Sequence, residues 1–381
     1  MLKYFEVRNY RNFKDTIGIH FDKVGGYQFN TECISAATIN KMLIYGRNAT
    51  GKTNLGRAIM DVTTHMTDLY NRTVYYKSYL NADSKEEVAS FKYIFQFEED
   101  EIIYKYKKKS EKQLYEEELI KNENRVFYFN YETGENDFDY LQELDIDDVL
   151  TKRYIEARNM RKHGGTNDIV PFFRWMINNT ALQDESLLRL DEFISHMKMS
   201  IQHDATFTRN KGFHELLFSS LDREFGLEEF EEFLNIMGVA CKLKMELLPN
   251  GEKELYFLHE ELVPFFEMAS SGTIALVNLY QRILLGIKAS FLYMDEFDAF
   301  FHYEMSENVI KFLKKRNKDC QIVMTTHNTN LMTNRLMRPD CLFILSREGN
   351  LTSLSEATKR ELREGHNLEK LYISGEFDKY E

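Results

Sequence analysis

The sequence predicts an α/β protein: a mostly parallel core sheet, a mixed β subdomain in the N-terminal half, and a helical insertion between the two halves. Three observations predict it. The short apolar run Lys41 to Tyr45 enters a glycine and is followed at once by an amphipathic helix. From Ser270 to the end, helical and strand patterns alternate three times, the mark of crossover helices on a parallel sheet. Between about Leu141 and Gly238 the apolar spacing turns helical instead. The divisions expected are 1–140 (first half of the core), 141–237 (insertion) and 238–381 (second half).

Taken in order, Leu2 to Tyr10 alternates like a strand and Ile17 to Phe21 like its hairpin partner. After Lys41 to Tyr45, the residues Leu55, Ile59, Val62, Met66 and Leu69 describe one helix starting at Thr53. Further strands are expected at Ala89 to Phe97, Glu101 to Tyr106 and Arg125 to Tyr131. The run Lys105-Tyr106-Lys107-Lys108-Lys109 reads as a solvated strand end rather than a nucleic-acid patch. In the insertion, Phe172, Phe173, Met176 and Ile177, then Leu187, Leu190, Phe193, Ile194 and Met197, fall at helical spacing. Arg153, Arg158, Arg161, Lys162 and His163, ahead of Gly164-Gly165, form the best candidate surface for an anionic partner. Lys242 to Leu248 and Glu254 to His259 read as a hairpin turning at Asn250-Gly251.

Composition narrows the function classes. Hydrophobic residues make up 43% and charged residues 29% of 381, the balance of a folded soluble chain. A formal charge of -12 argues against unaided tight DNA binding, which draws its affinity from neutralised phosphates. Cys33, Cys241, Cys320 and Cys341 lie far apart without C-x-x-C spacing, so neither a zinc site nor a disulfide framework is indicated. No stretch has the ~20 apolar residues that span a bilayer, and the start lacks a signal-peptide run. A soluble, reduced, cytoplasmic protein is expected.

The strongest motif is Gly46-Arg47-Asn48-Ala49-Thr50-Gly51-Lys52-Thr53, a full G-x-x-x-x-G-K-[ST] match. Chance produces the pattern in on the order of one in a hundred chains this long. Here it also lies between strand and helix, as a phosphate cradle requires. Such a loop points backbone N–H groups inward, and the following helix offers its positive end. Lys52 is placed to reach the β- and γ-phosphates of ATP, and Thr53 to ligate Mg²⁺.

Three further segments join it. Ser290 to Met294 is an apolar strand ending in Asp295-Glu296. A buried strand that finishes on two acids suits a metal-holding aspartate (Asp295) and a water-orienting glutamate (Glu296). Cys320 to Thr326 is a second such strand, followed by His327-Asn328; its histidine would lie at the ligand-binding end of a parallel sheet and could contact the γ-phosphate. Ser270-Ser271-Gly272-Thr273 opens a helix running to Ile287; serine would equally suit an ordinary N-cap, but the position just upstream of the acidic strand, with one helix between, favours an anion site.

These segments, in this order, resemble the nucleotide-binding heads of ABC ATPases, and most closely the SMC/RecF/OLD branch of DNA repair and phage defence. Arg8-Asn9-Tyr10-Arg11-Asn12-Phe13 looks like that branch's opening motif, Gly46 to Asn54 its P-loop, and Ser270 to Thr273 a shortened signature. Asp295-Glu296-Phe297-Asp298 with His302 resembles its acidic stretch, and Thr326-His327-Asn328 its switch histidine. The signature lacks the second glycine and glutamine of transporter subunits, no Q-loop glutamine can be assigned, and His302 replaces the D-loop aspartate.

The resemblance implies an ABC-ATPase head that binds ATP and Mg²⁺ and hydrolyses ATP. Glu296, His327 and Lys52 would be catalytic, Thr53 and Asp295 would hold the metal, and residues 46–54 with Ser271 and Gly272 would bind nucleotide. It further implies a homodimer whose P-loops are completed by the partner's signature, with room for higher oligomers. OLD-type chains carry a nuclease domain after the ATPase, whereas only about 50 residues follow His327 here. The leading expectation is therefore an ATPase controlling a separate nuclease or toxin-like effector, with nucleic acid as an indirect partner. The alternatives are a RecF-like protein binding DNA itself and a nucleotide-sensing scaffold with little hydrolysis; no membrane partner is expected.

Overall fold

The computed structural model describes residues 1–67, 78–163, 170–201, 217–223, 226–285, 289–316 and 318–380. Its core is a six-stranded sheet in the spatial order Met197–Ile201, Phe291–Asp295, Gln321–Thr326, Lys41–Tyr45, Leu342–Leu345 and Leu351–Ser353. The first five run parallel, and the last is antiparallel to its neighbour. The three strands carrying the motifs are buried along their whole length. Such strands read as continuous apolar runs because helices cover both faces of a parallel sheet. Register pairs Met294 with Met324 and Thr326 with Tyr45, so all three strands end on one edge, where their polar residues collect.

The helix after the P-loop spans Lys52–Ile59 and crosses the acidic strand closely. Gly56 permits this approach: a Cβ there would lie 2.4 Å from the Tyr293 ring. Tyr293 OH donates to the Lys52 carbonyl at 2.6 Å, tying the start of the helix to the strand that ends in Asp295. A second helix, Asp61–Met66, follows after a break at Met60, where periodicity indicates one continuous helix; Leu69 lies outside the described residues. Burial explains the break. Asp61 is held at 2.6 Å by Lys108 Nζ and at 3.0 Å by the hydroxyls of Tyr106 and Tyr79, contacts that apolar spacing does not encode.

The N-terminal β subdomain is a seven-stranded sheet with every pairing antiparallel, ordered Asn136–Asp137, Asn124–Asn130, Leu114–Lys121, Asp100–Lys108, Ala89–Phe97, Leu2–Arg8, Ile17–His20. The strand Leu114–Lys121 has no counterpart in the sequence reading, because Glu116, Glu117 and Glu118 hide its alternation. On its outer face Glu116 and Glu118 pair with Lys107 (2.7 Å) and Lys105 (3.0 Å) of the neighbouring strand. The lysine run is thus neutralised across the sheet, as opposite charges on facing strands favour.

The middle of the chain holds the helices Asp148–His163, Phe172–Asn179, Glu185–Ser195 and Gly226–Ile236. Asp184 caps the third, accepting the Leu187 N–H at 3.0 Å. One expectation is corrected here. Helical spacing includes Met197, but the helix stops at Ser195, and Met197–Ile201 is a strand pairing in parallel with Phe291–Asp295. Satisfying the backbone of a sheet edge overrides the local periodicity. In the basic segment, Arg158 donates to the Tyr131 carbonyl, so part of that charge serves packing; the side chains of Arg161, Lys162 and His163, and Gly164-Gly165, lie outside the described residues.

The expected hairpin forms from Leu243–Leu247 and Lys253–Leu258, although its turn is longer than two residues. Gly251 N–H donates to the Leu248 carbonyl and Leu248 N–H to that of Glu252, a three-residue loop with Gly251 at φ 82°. Toward the C-terminus, the third expected helix is replaced by the single 3₁₀ turns Thr329–Leu331 and Pro339–Cys341. Among the described residues no helix is long and apolar enough to cross a membrane.

Candidate functional site: a phosphate loop facing two acidic residues and a histidine

Strand Lys41–Tyr45 delivers the loop 46–51, and helix Lys52–Ile59 begins at the lysine itself. Gly51 occupies left-handed space at φ 103°, and Ala49 does so at φ 66° despite its Cβ. Left-handed turns of this kind aim successive N–H groups into one concavity. The Lys52 side chain is only 4% exposed and lies across its own loop, donating to the carbonyls of Gly46 (2.7 Å) and Arg47 (3.1 Å). Burial lowers the pKa of its amine, while Glu296, Asp295 and Asp298 oppose that shift. Arg47, Asn48 and Ala49 are exposed, whereas Gly46 and Thr50 are buried.

The acidic strand ends beside this loop. Thr53 Oγ1 donates to Asp295 Oδ2 at 2.5 Å, and Thr325 Oγ1 to Asp295 Oδ1 at 2.8 Å. Glu296 has a left-handed backbone (φ 45°), fixed by its N–H donating to Thr325 Oγ1 at 2.8 Å. Strain of this kind, about 1–3 kcal/mol, persists where surrounding structure enforces it. It turns Glu296 out of the sheet, leaving its side chain 40% exposed, with Oε1 4.0 Å from both Lys52 Nζ and His327 Nδ1. His327 is 47% exposed at the end of Gln321–Thr326. The structure therefore brings Lys52, Thr53, Asp295, Glu296 and His327 together.

A groove of about 300 Å³ opens over them, lined by Asn12, Ala49, Gly51, Lys52, Thr53, Asn54 and Glu296. Ser271 and Gly272 are not among its lining residues. They form the first turn of helix Ser271–Leu285, with the Thr273 N–H donating to Ser270 Oγ at 3.1 Å. Ser270 is thus an N-cap. His302 is exposed beyond the acidic stretch.

The sequence pattern of one family, described as "AAA domain, putative AbiEii toxin, Type IV TA system", matches residues 41–333, well over half of the chain. The chain belongs to this AAA-domain family. No curated protein matches this AAA-domain chain. Among solved structures, it is similar to the SMC head bound to the C-winged helix domain of ScpA (TM-score 0.51, 15% identity, covering 92% of this chain and 97% of that one). Two others are the SMC head domain from Thermotoga maritima (0.46, 15%, 92% and 98%) and an Smc head with an extended coiled coil bound to the C-terminal domain of ScpA derived from Pyrococcus furiosus (0.47, 14%, 93% and 97%). The first likeness shows the fold, that of an SMC head domain.

Three residues of the AAA-domain site have roles that sequence reasoning does not assign. Asn12, seen there only as part of an opening motif, donates to the Thr50 carbonyl at 3.3 Å and accepts from Asn54 Nδ2 at 2.7 Å. It explains Gly51 a second time, since a Cβ at 51 would lie 2.3 Å from Asn12 Nδ2. Two non-glycine residues of its segment, Asn9 (φ 54°) and Arg11 (φ 52°), are left-handed. The other two are Thr325, shared by Asp295 and Glu296, and Asp298, whose Oδ2 accepts from Thr326 Oγ1 at 2.7 Å. Burial raises the Asp298 pKa, opposed by that hydroxyl. Hydroxyl–carboxylate pairs 28 and 30 residues apart leave no local pattern to read.

The Thr53 hydroxyl and the Asp295 carboxylate are hard oxygen donors side by side, a set that suits Mg²⁺ held partly through water. A cation, a carboxylate and a loop of N–H groups lining one groove, with Asp295 hydrogen-bonded to Thr53 and His327 4.0 Å from Glu296, suit a polyphosphate and its hydrolysis.

Proposed function

We propose that the chain binds and hydrolyses MgATP, and that nucleotide-driven closure of a head-to-tail homodimer regulates a separate effector. The observation that carries the hydrolytic part is the meeting of Lys52, Thr53 and Glu296 at one groove, with Asp295 bound to the Thr53 hydroxyl beside it. Lys52 and the loop amides bind the β- and γ-phosphates. Thr53 and Asp295 hold Mg²⁺, which supplies charge neutralisation across the phosphates. Glu296 orients and polarises the attacking water, and His327 donates to the γ-phosphate oxygen.

Within one chain the groove is open above the P-loop, and the helix start at Ser271-Gly272 is separate from it. That supports a site completed by the signature of a second copy, which gives two equivalent sites across an isologous interface. ATP then favours the closed dimer, and hydrolysis removes the preference. The effector part draws support from the toxin–antitoxin description of the family and from an SMC head seen with a bound partner domain. A cytoplasmic nuclease or toxin-like protein acting on nucleic acid in phage defence fits that pattern.

The test is phosphate release by the purified chain with and without Mg²⁺, against Glu296→Gln. Magnesium-dependent turnover lost in the variant supports the reading, and turnover unchanged in the variant refutes it. For the effector, the protein encoded beside this gene is co-expressed: Glu296→Gln should hold the complex in one activity state, and indifference to the variant removes the regulatory claim.

A further inference from the structure

The two threonines that end the histidine strand are used in the same way. Thr325 Oγ1 donates to the Asp295 carboxylate and accepts the N–H of Glu296. Thr326 Oγ1 donates to Asp298 Oδ2 at 2.7 Å and accepts the N–H of Asn328 at 2.9 Å. Each hydroxyl thus joins a carboxylate of the acidic stretch to a backbone N–H beside a reactive side chain. A hydroxyl has a single proton. Because Asp298 takes it, the Thr326 oxygen is left to hold Asn328, and His327 is strung between two residues locked to one atom.

Burial makes this arrangement stiff. Thr326 is fully buried and Asp298 is 7% exposed, so water does not compete for their bond. The His327 ring, by contrast, is half exposed, and among the described residues its one charged partner within 4.0 Å is Glu296. Its ring direction is therefore set mainly through its backbone. Among the described residues Asp298 Oδ1 is buried with no hydrogen-bond partner, so holding this carboxylate here costs stability.

We propose that Asp298 is a positioning residue for His327, acting through the Thr326 hydroxyl to set the imidazole against Glu296 and the γ-phosphate. This rests on the hydrolytic reading above. The acidic stretch then sets the water-orienting carboxylate through Thr325 and the phosphate-facing histidine through Thr326, and the two groups keep their spacing as one unit.

The test uses the full chain with Asp298→Ala, Thr326→Val and Thr326→Ser. Serine keeps the hydroxyl; the other two break the link. Both breaking variants should lower kcat by up to about a hundredfold, as a misplaced group does, while Thr326→Ser stays near wild type. Affinity for a non-hydrolysable ATP analogue should stay within about twofold. On a His327→Ala background Asp298→Ala should cost nothing more. Additive losses, or affinity falling in step with kcat/KM, would overturn the proposal.

A second readout is independent of turnover. The His327 ring resonance, assigned by its disappearance in His327→Ala, should move in Asp298→Ala and Thr326→Val but not in Thr326→Ser. A signal unmoved in all three sinks the positioning role. If the wild type shows no turnover at all, the hydrolytic reading falls, and the resonance still decides whether Asp298 sets the ring.

Discussion

Thr53 and Asp295, 242 residues apart in sequence, meet through a hydrogen bond of 2.5 Å. Thr53 lies in the first turn of the P-loop helix, and Asp295 ends a strand two places from the P-loop strand in the core sheet. Their contact binds the two halves of the fold at the point where charge must be handled. If the pair holds magnesium, the affinity of the wild type for an ATP analogue should rise on adding Mg²⁺ and fall on chelation. Asp295→Asn should be indifferent to both and lose more than about a hundredfold in turnover. Calorimetry with and without EDTA checks it.

Glu296 should separate binding from chemistry. It is 40% exposed, approaches Lys52 only at 4.0 Å, and contributes no phosphate-binding donor. Glu296→Gln is expected to bind nucleotide normally and to lose about 10²–10⁴ in kcat, the range for removing a general base. Single-turnover kinetics beside equilibrium binding would show the split.

Gly51 should be intolerant for two separable reasons. Gly51→Ala places a methyl 2.3 Å from Asn12 Nδ2 and forces a side chain onto φ 103°. Nucleotide binding should be lost, with a stability cost of about 1–3 kcal/mol for the backbone strain alone. Adding Asn12→Ala removes the clash but not the strain, so the double variant should recover part of the affinity. Urea unfolding and analogue titration of the wild type, Gly51→Ala and the double variant test this.

A buried acid outside the site gives a pH signature. Glu117 accepts from Tyr104 OH (2.8 Å), Tyr131 OH, and the N–H groups of Phe172 (2.7 Å) and Phe173 (3.1 Å) at the start of a helix. Burial nevertheless raises its pKa above the usual 4.5. An acid raised in the folded state contributes stability that is fully present below its unfolded pKa and is lost as pH rises through the folded one. The wild type should therefore lose stability relative to Glu117→Gln as pH climbs from about 4.5 through that raised value, and run parallel to it above. Thermal melts of both proteins across this range check the sign.

Much of this architecture is legible in the residues, because parallel strands buried on both faces cannot avoid apolar runs. Lys41 to Tyr45, Phe291 to Asp295 and Gln321 to Thr326 announce themselves, and so does the glycine-flanked lysine between strand and helix. What stays hidden depends on distant partners. Leu114–Lys121 is a strand because its glutamates pair with lysines on the neighbouring strand. Met197–Ile201 is a strand because a sheet edge lies open beside it. Asn12, Thr325 and Asp298 acquire their roles only when the chain folds back, and no spacing rule joins a hydroxyl to a carboxylate across that distance.

The strand Met197–Ile201 carries a practical warning for anyone trimming the protein. Excising the middle of the chain at the boundaries that hydrophobic spacing suggests would strip the flank from Phe291–Asp295. The bared row of amides and carbonyls would then be free to recruit other molecules edge to edge. A shortened version that precipitates would report a missing neighbour, not a failed nucleotide pocket.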